Sequence, residues 1–173
     1  MSENKIDEDM VRYFIWAIWN FFSTTTGSDP ESGTPYLVDE LRYHDYTGVI
    51  GISGSQKGAV YVTMNADLIE HLLENYHSNL EYEDEQDREM IRADMAGEIA
   101  NTIAGNVRSF LGKGFLISVP VVFRSPGEIM HLAKGVPGIA LPIKWNNFSC
   151  VLVVACKTSV EDKQEAEHAD MEL

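Results

Sequence analysis

Positive charge is scarce in this sequence of 173 residues, in which 13 lysines and arginines stand against 27 aspartates and glutamates and the net charge is −14. The closest approach to a basic cluster is the pair Arg88 and Arg92, and both lie among acidic residues. A surface of this sign repels nucleic-acid phosphates and anionic lipids. We therefore expect no nucleic-acid or membrane partner and favour binding to proteins or to neutral or cationic molecules.

Long apolar runs and cysteines are also scarce. No apolar run reaches the roughly 18 residues of a membrane span, and residues 1–5 lack the start of a secretory signal, so we expect a cytoplasmic protein. Cys150 and Cys156 lie in a β-prone run, where six residues span about 20 Å at ~3.3 Å per residue. This separation excludes a disulfide between them and predicts two buried core residues on one face.

Motifs for metal, phosphate and nucleophilic chemistry are missing. The sequence contains neither HExxH nor CxxC, and it has no G-x-S-x-G. The glycine-rich residues 51–58 resemble a phosphate-binding loop, but β-prone runs flank them and no helix follows directly, so a hairpin turn is predicted. We therefore expect no metal ligands and no cofactor in this chain.

The composition, with 45% hydrophobic and 10% aromatic residues, is typical of a globular domain. Apolar spacing predicts a helix over residues 7–23, a shorter helix after the N-cap Asn65, and a long helix over residues 84–111. Short β segments are predicted over residues 36–43, 46–53, 59–64, 116–123, 138–145 and 148–157. Links of hairpin size favour an α+β fold, with an antiparallel or mixed β-sheet packed by the N-terminal, short and long helices.

The domain is expected to span residues 8–157 and to be followed by an acidic tail, residues 158–173. From residue 160 onward the acidic side chains face a single lysine, Lys163, and no apolar period supports a packed element. We predict that this tail is disordered.

The long helix separates an apolar arc from a polar line when it is projected at 100° per residue. The arc, which is expected to face the core, consists of Met95, Ile99, Ile103, Val107, Phe110 and Leu111. The polar line on the opposite side consists of Asp94, Glu98, Asn101, Gly105 and Arg108. The first four members of the line fall within about 60° of one another. Glu98 and Asn101 are one turn apart, so their tips can reach the same small group.

A carboxylate beside a carboxamide on a rigid, exposed helix suits two tasks, orienting a water molecule and holding a cationic group of a docking partner. The same pair is commonplace on solvated helix faces, so spacing alone leaves an ordinary surface open as an interpretation. Gly105 in mid-helix costs about 1 kcal/mol relative to alanine. The close approach of another backbone would explain that cost.

The segment DMAGEIANTIAGN, from Asp94 to Asn106, resembles the D/S-x3-E-x2-N-x3-G signature of the CheC/CheX/FliY phosphatases at every specified position. The order of elements over roughly residues 8–157 is similar to that of CheX. CheC and FliY carry a second E-x2-N copy on their first helix, where this sequence has Ala17 in place of the glutamate, followed by Asn20. The resemblance therefore implies a single site and is strongest to CheX.

The resemblance implies hydrolysis of the aspartyl phosphate on a CheY-type response regulator. Asn101 would position the attacking water, and Glu98 would pair with the regulator lysine that contacts the phosphate. Asp94 and Gly105 are assigned to partner binding. The Mg²⁺ of the reaction is expected in the partner response regulator and not in this chain.

Two alternatives stay open at this point. The switch protein FliM uses a similar domain without this activity, so a non-catalytic flagellar or chemotaxis adaptor is the second hypothesis. The third is a dimerising domain, because CheX is similar in pairing two subunits through sheet edges. Residues 148–157 carry few charges and would need covering at an edge, and a homodimer is expected.

Overall fold

The computed structural model describes residues 8–76, 81–136 and 138–158, and these fold into helices and strands of the predicted α+β class. The helices are α1 (Glu8–Thr26), α2 (Ala66–Tyr76) and α3 (Glu85–Leu111). The strands are β1 (Glu31–Ser32), β2 (Tyr36–Val38), β3 (Glu40–Arg42), β4 (Tyr46–Gly54), β5 (Gln56–Met64), β6 (Phe115–Ile117), β7 (Val121–Phe123), β8 (Ile129–His131), β9 (Gly138–Trp145) and β10 (Phe148–Thr158). None of the described helices is long and apolar enough to cross a membrane.

One large antiparallel sheet organises the chain. Its strand order is β1-β9-β10-β5-β4-β6, with β2 also paired to β9 and β7 also paired to β4. The strands β3 and β8 form a separate two-stranded ribbon. The hairpin turn predicted within residues 51–58 joins β4 to β5, and Asn146 at a positive φ of 52° helps turn β9 into β10.

The two faces of the sheet bury different sets of side chains, as the period-2 alternation along β10 shows. Leu152 and Val154 belong to the larger cluster, which the three helices cover. Val153 and Ala155 belong to the smaller cluster, which the β3–β8 ribbon covers. The helices therefore form one layer on one face of the sheet, and this layer carries the candidate site.

Cys150 and Cys156 both lie in the cluster beneath the helices, and neither forms a disulfide. The prediction of two buried residues on one face is confirmed. Burial raises the pKa of the Cys150 thiol to about 12.

Several predicted β segments are divided in the structure. Residues 36–43 supply two strands that pair with different partners, β2 with β9 and β3 with β8. The predicted segment 116–123 is interrupted at residues 118–120, where Pro120 has no N–H to donate to a ladder. Strand β8 lies between the segments predicted over residues 116–123 and 138–145. Strands of three residues are too short to show a periodic pattern. Thr158 ends β10 and so belongs to the sheet, while the rest of the predicted tail, residues 159–173, lies outside the described residues.

The ends of α1 and α2 involve capping contacts that the sequence pattern did not reveal, whereas α3 runs from Glu85 to Leu111 between the caps Asp84 and Gly112, in agreement with the predicted span. α1 continues to Thr26, since the hydroxyl of Thr26 donates to the Phe22 carbonyl at 2.8 Å and satisfies the last turn. Asn65 occupies the predicted N-cap position of α2, where its carbonyl accepts from the Ile69 amide at 3.4 Å. The first amide of the helix, that of Ala66, donates to the Asp45 carboxylate at 2.8 Å, so a side chain from outside the helix takes part in the cap.

Candidate functional site

α3 lies directly on the sheet because small residues line its buried face. Ala96, Ala100 and Ala104 are completely buried. Beneath them on β4, a Cβ on Gly48 would lie 2.7 Å from the Ala96 carbonyl oxygen and 2.8 Å from the Ala100 Cβ. This close approach of two backbones fixes the height and rotation of α3 on the sheet.

The buried face of α3 is therefore rotated away from part of the predicted arc. The members of the arc that are buried are Ile99, Ile103 and Val107. Met95 and Leu111 are only half-buried, and Phe110 is 48% exposed. Met95 and Leu111 still pack against the core cluster, so the prediction is wrong for Phe110 alone. Apolar periodicity counts large residues and overlooks the flat face that alanines offer to a sheet.

One carboxylate ties the first half of α3 to α2. Glu70 on α2 accepts hydrogen bonds from Nε of Arg88 at 2.7 Å and from Nε of Arg92 at 2.5 Å. A third hydrogen bond comes from the Tyr82 hydroxyl at 2.9 Å. Burial alone would raise the pKa of Glu70, but these hydrogen bonds outweigh it and hold the pKa below its ordinary value.

This clamp between α2 and α3 was not predicted from the sequence. Arg88 and Arg92 are four residues apart, so they share one face of α3. That spacing was the available signal, but it does not reveal that their partner is Glu70 on another helix. The clamp ends only two residues before Asp94 and holds the beginning of the polar line in place.

Aromatic contacts tie the second half of α3 to α1. The Phe110 ring stacks on Tyr13 with centroids 5.2 Å apart and meets the edge of Trp16 at 4.7 Å. Near the other end of α1, Phe21 borders the same cleft as Met95. The two helices therefore run antiparallel, and α3 is fixed at both ends as a rigid support.

The predicted polar line of α3 lies on the surface that faces away from the sheet. Asp94, Glu98 and Arg108 are exposed, and Asn101 and Gly105 are half-buried. Within the described part of the chain, no hydrogen bond or ion pair engages the carboxylate of Glu98 or the carboxamide of Asn101. Both groups are therefore available to a partner.

The chemistry available to this pair follows from its donors and acceptors. The Glu98 carboxylate can accept hydrogen bonds and pair with a cation, whereas the Asn101 carboxamide can both donate and accept. Across residues 8–76, 81–136 and 138–158, no group of three or more histidine, cysteine, aspartate or glutamate side chains is placed to hold a metal ion. The pair is therefore suited to orienting groups that a partner supplies.

Gly105 has no packing partner that would require a glycine. A Cβ at this position would meet no heavy atom within 4 Å, in contrast to Gly48. An open depression of about 330 Å³ adjoins Gly105 and is lined by Arg108, Ser109, Gly112 and Lys113. Gly105, which weakens the helix, therefore faces free space on the polar line.

The first helix does not repeat the polar line of α3. Ala17, which the sequence comparison set at the glutamate position of a second copy, is completely buried and faces the core. The outer side of α1 instead presents Trp16 and Trp19, which are 43% and 38% exposed. They are three residues apart, as Glu98 and Asn101 are, but they carry no carboxylate and no carboxamide.

Comparison with known proteins places this arrangement in a family. A family model for the chemotaxis phosphatase CheX matches residues 46–144, which is more than half of the chain. The chain belongs to the CheX family. The region that matches the CheX model begins with β4 and contains the whole of α3, including its polar line.

Solved structures of chemotaxis proteins have the same fold. A candidate chemotaxis protein from Desulfovibrio vulgaris Hildenborough is 27% identical, with 90% of this chain and 100% of that chain covered and a TM-score of 0.74. A CheX from Desulfovibrio desulfuricans is 25% identical over 87% of this chain and 99% of that one, with a TM-score of 0.72. No curated protein sequence matches this member of the CheX family.

A third solved structure, of a CheX, contains a partner protein. This CheX from Borrelia burgdorferi was solved in complex with CheY, BeF₃ and Mg²⁺. It is 21% identical, with 88% of this chain and 99% of that chain covered and a TM-score of 0.67. At 21% identity, the comparison shows that the two proteins share a fold and shows nothing further.

Proposed function

We propose that this chain hydrolyses the aspartyl phosphate of a CheY-type response regulator, with Glu98 and Asn101 as its catalytic residues. The observation that carries the proposal is the pairing of an unengaged carboxylate and an unengaged carboxamide on one exposed line of a clamped helix. Membership of a family of chemotaxis phosphatases supports the reaction class. The chain would meet its regulator in the cytoplasm.

The reaction suits these residue types. In an acyl phosphate the leaving group is a carboxylate, so the attacking water needs placement more than it needs a strong base. The oxygen of the water forms a new bond to phosphorus, and the bond between phosphorus and the aspartyl oxygen breaks to give inorganic phosphate and the free aspartate. Asn101 would hold the water in line, and Glu98 would pair with the regulator lysine beside the phosphate.

The charge requirements of the transition state are divided between the two proteins. The regulator would supply Mg²⁺ and the lysine, and both would neutralise negative charge on the phosphoryl oxygens. This chain would supply no metal and no cofactor. The Borrelia complex, which contains CheX, CheY, BeF₃ and Mg²⁺ together, supports this division by analogy.

Asp94 and Gly105 are proposed as partner-binding residues on either side of the catalytic pair. Asp94 is exposed one turn before Glu98 and extends the acidic part of the line. Gly105 is one turn after Asn101, and the space above it is open. The approach of a regulator backbone to this position would explain why a glycine is present, whereas packing within the chain does not explain it.

A homodimer is proposed in addition, through the open edge formed by β6 and β7. Among the described strands, only β4 pairs with these two, so one side of each is unpaired. Leu116, Val119 and Val121 at this edge are 46%, 79% and 52% exposed. An apolar, unpaired edge is a surface that proteins usually cover.

The decisive experiment measures the loss of phosphate from a phosphorylated CheY-type regulator with and without the purified protein. Wild-type protein should accelerate the loss, and Asn101→Ala should reduce the acceleration by about 100-fold or more. Asn20→Ala, which removes a half-buried asparagine from α1, is the matched control and should behave as wild type. Binding of the regulator without any acceleration by wild type would favour the adaptor and overturn the phosphatase.

A further inference from the structure

A cleft of about 250 Å³ opens beside Glu98, where the last turns of α1 and α2 meet α3. Its apolar walls are formed by Phe21, Leu73, Met95 and Ile99. Its exposed lining residues are Tyr76, Glu98 and Thr102. The cleft therefore has an apolar floor and a mouth with one negative charge.

The volume of the cleft decides what kind of group fits. Pockets for cofactors and drug-sized ligands have volumes of about 300–1,000 Å³, whereas an apolar cavity of about 150 Å³ already binds benzene. The cleft, at about 250 Å³, lies between these values. It suits one large apolar side chain better than a separate small molecule.

The walls of the cleft combine one fixed surface with one adaptable surface. The hydroxyl groups of Tyr76 and Thr25 share a hydrogen bond of 3.1 Å, which holds the Tyr76 ring against the end of α1 although the residue is 52% exposed. Met95 on the other side is half-buried and unbranched, so it can adjust to different shapes. Exposed aromatic rings of this kind often carry much of the energy of a protein interface.

Glu98 belongs both to the cleft and to the polar line of α3, so the two surfaces are continuous. A protein interface of standard size covers about 800 Å² on each partner, equivalent to a disc of roughly 16 Å radius. Thr102 is only one helical turn from Glu98. A protein that places a lysine against Glu98 and forms an interface of this size around it therefore also covers the cleft.

We propose that the cleft receives one large apolar side chain of the phosphorylated response regulator, next to the lysine that pairs with Glu98. The inference rests on the proposed function and adds a specificity pocket to it. Regulators that carry a large apolar side chain beside the lysine are bound. Regulators with a charged side chain at that position are rejected, because the charge would be buried in the cleft without an opposite charge to pair with. Tyr76 is then a specificity residue and takes no part in the chemistry.

Kinetics of regulator dephosphorylation test the pocket. Tyr76→Ala removes a wall and should raise the KM for the phosphorylated regulator about tenfold or more, with kcat unchanged. Tyr76→Phe keeps the ring and loses only the hydrogen bond to Thr25, so its KM should stay well below that of Tyr76→Ala. Thr102→Trp should fill the cleft and also raise the KM, whereas Thr102→Val preserves the volume at that position and should not.

The outcomes separate the two proposals. If wild type does not accelerate the loss of phosphate, the proposed function fails. If wild type is active and both Tyr76→Ala and Thr102→Trp keep the wild-type KM, the pocket alone is overturned. A fall in kcat with an unchanged KM for Tyr76→Ala also overturns it, because the residue would then act on the chemical step.

Crosslinking identifies the occupant directly. Benzoylphenylalanine in place of Tyr76 should, on illumination, crosslink to an apolar side chain of the BeF₃-loaded regulator, and mass spectrometry locates the attachment. The same variant mixed with unloaded regulator should give several-fold less product. Crosslinks only to a second copy of this chain, or only within the chain, would assign the cleft to another occupant and overturn the proposal.

Discussion

Gly48 on β4 and Ala96 on α3 bring the backbones of sheet and helix into contact, since a Cβ at position 48 would lie 2.7 Å from the Ala96 carbonyl oxygen. This helix carries the polar line, with the proposed catalytic residues Glu98 and Asn101. Gly48→Ala forces the helix outward, and overpacking of this kind costs about 1–3 kcal/mol of unfolding free energy. Urea denaturation measures the loss, and dephosphorylation by the folded variant should fall as well.

Gly51→Ala is the matched control for that substitution, because it lies on the same strand. A Cβ at Gly51 would meet the Ser118 Oγ at 3.4 Å, which the neighbouring side chain can accommodate. Its unfolding free energy should stay within about 1 kcal/mol of wild type. Equal losses in the two variants would show that strand glycine in general, and not the contact with α3, is responsible.

The Glu70 clamp predicts a dependence of stability on pH. Hydrogen bonds from Arg88, Arg92 and Tyr82 hold the folded-state pKa of Glu70 below its ordinary value, so the folded state binds this proton less readily than the unfolded state. The stabilisation is present above the unfolded pKa of about 4.3 and is lost as the pH falls through the folded value. Glu70→Gln should therefore be less stable than wild type at pH 7, by about 1–3 kcal/mol, and the difference should shrink toward pH 3.

Glu74→Gln is the control for the clamp. Glu74 lies on the same helix, its side chain is 74% exposed, and its only described ion pair is with His71 at 3.6 Å. The substitution should change the unfolding free energy by less than about 0.5 kcal/mol. Chemical denaturation of both variants between pH 3 and pH 7 measures the comparison, and parallel curves for wild type and Glu70→Gln would contradict the role of the clamp.

The polar line of α3 was predicted well from the sequence, because its position depends on one helix alone. The exposure of Asp94 and Glu98 follows from a period of 3.6 residues and from the caps at the helix ends. How the helix sits on the sheet depends on Gly48, which is far away in the chain and carries no side chain to signal the contact. The partial exposure of Phe110 followed from that seating and could not be predicted from periodicity.

The clamp and the cleft were missed for a related reason. Each joins residues from different helices, as Glu70 joins Arg92 and as Tyr76 faces Met95. Neither arrangement has a fixed spacing in the sequence, so only the packing of α2 against α3 reveals it. Local patterns thus predict single elements and their exposed faces, whereas sites between elements require the tertiary structure.

The buried thiol of Cys150 predicts slow chemical modification. Burial raises its pKa to about 12, so at pH 8 only about one thiol in ten thousand is the reactive thiolate. A disulfide reagent such as Ellman's reagent should label the native protein at the rate of unfolding and label both cysteines rapidly in denaturant. Fast stoichiometric labelling of Cys150 in the native protein would show that the helix layer opens readily above β10.

Gly105→Ala should separate stability from function. A Cβ at Gly105 meets no heavy atom within 4 Å, so alanine should raise the unfolding free energy by up to about 1 kcal/mol through its helix propensity. The same methyl group would stand where the regulator approaches, and the KM for phosphorylated regulator should rise several-fold. Gln86→Ala, at an exposed position near the start of α3, should not change the KM. A more stable variant with wild-type kinetics would remove Gly105 from the docking surface while leaving Glu98 and Asn101 in place.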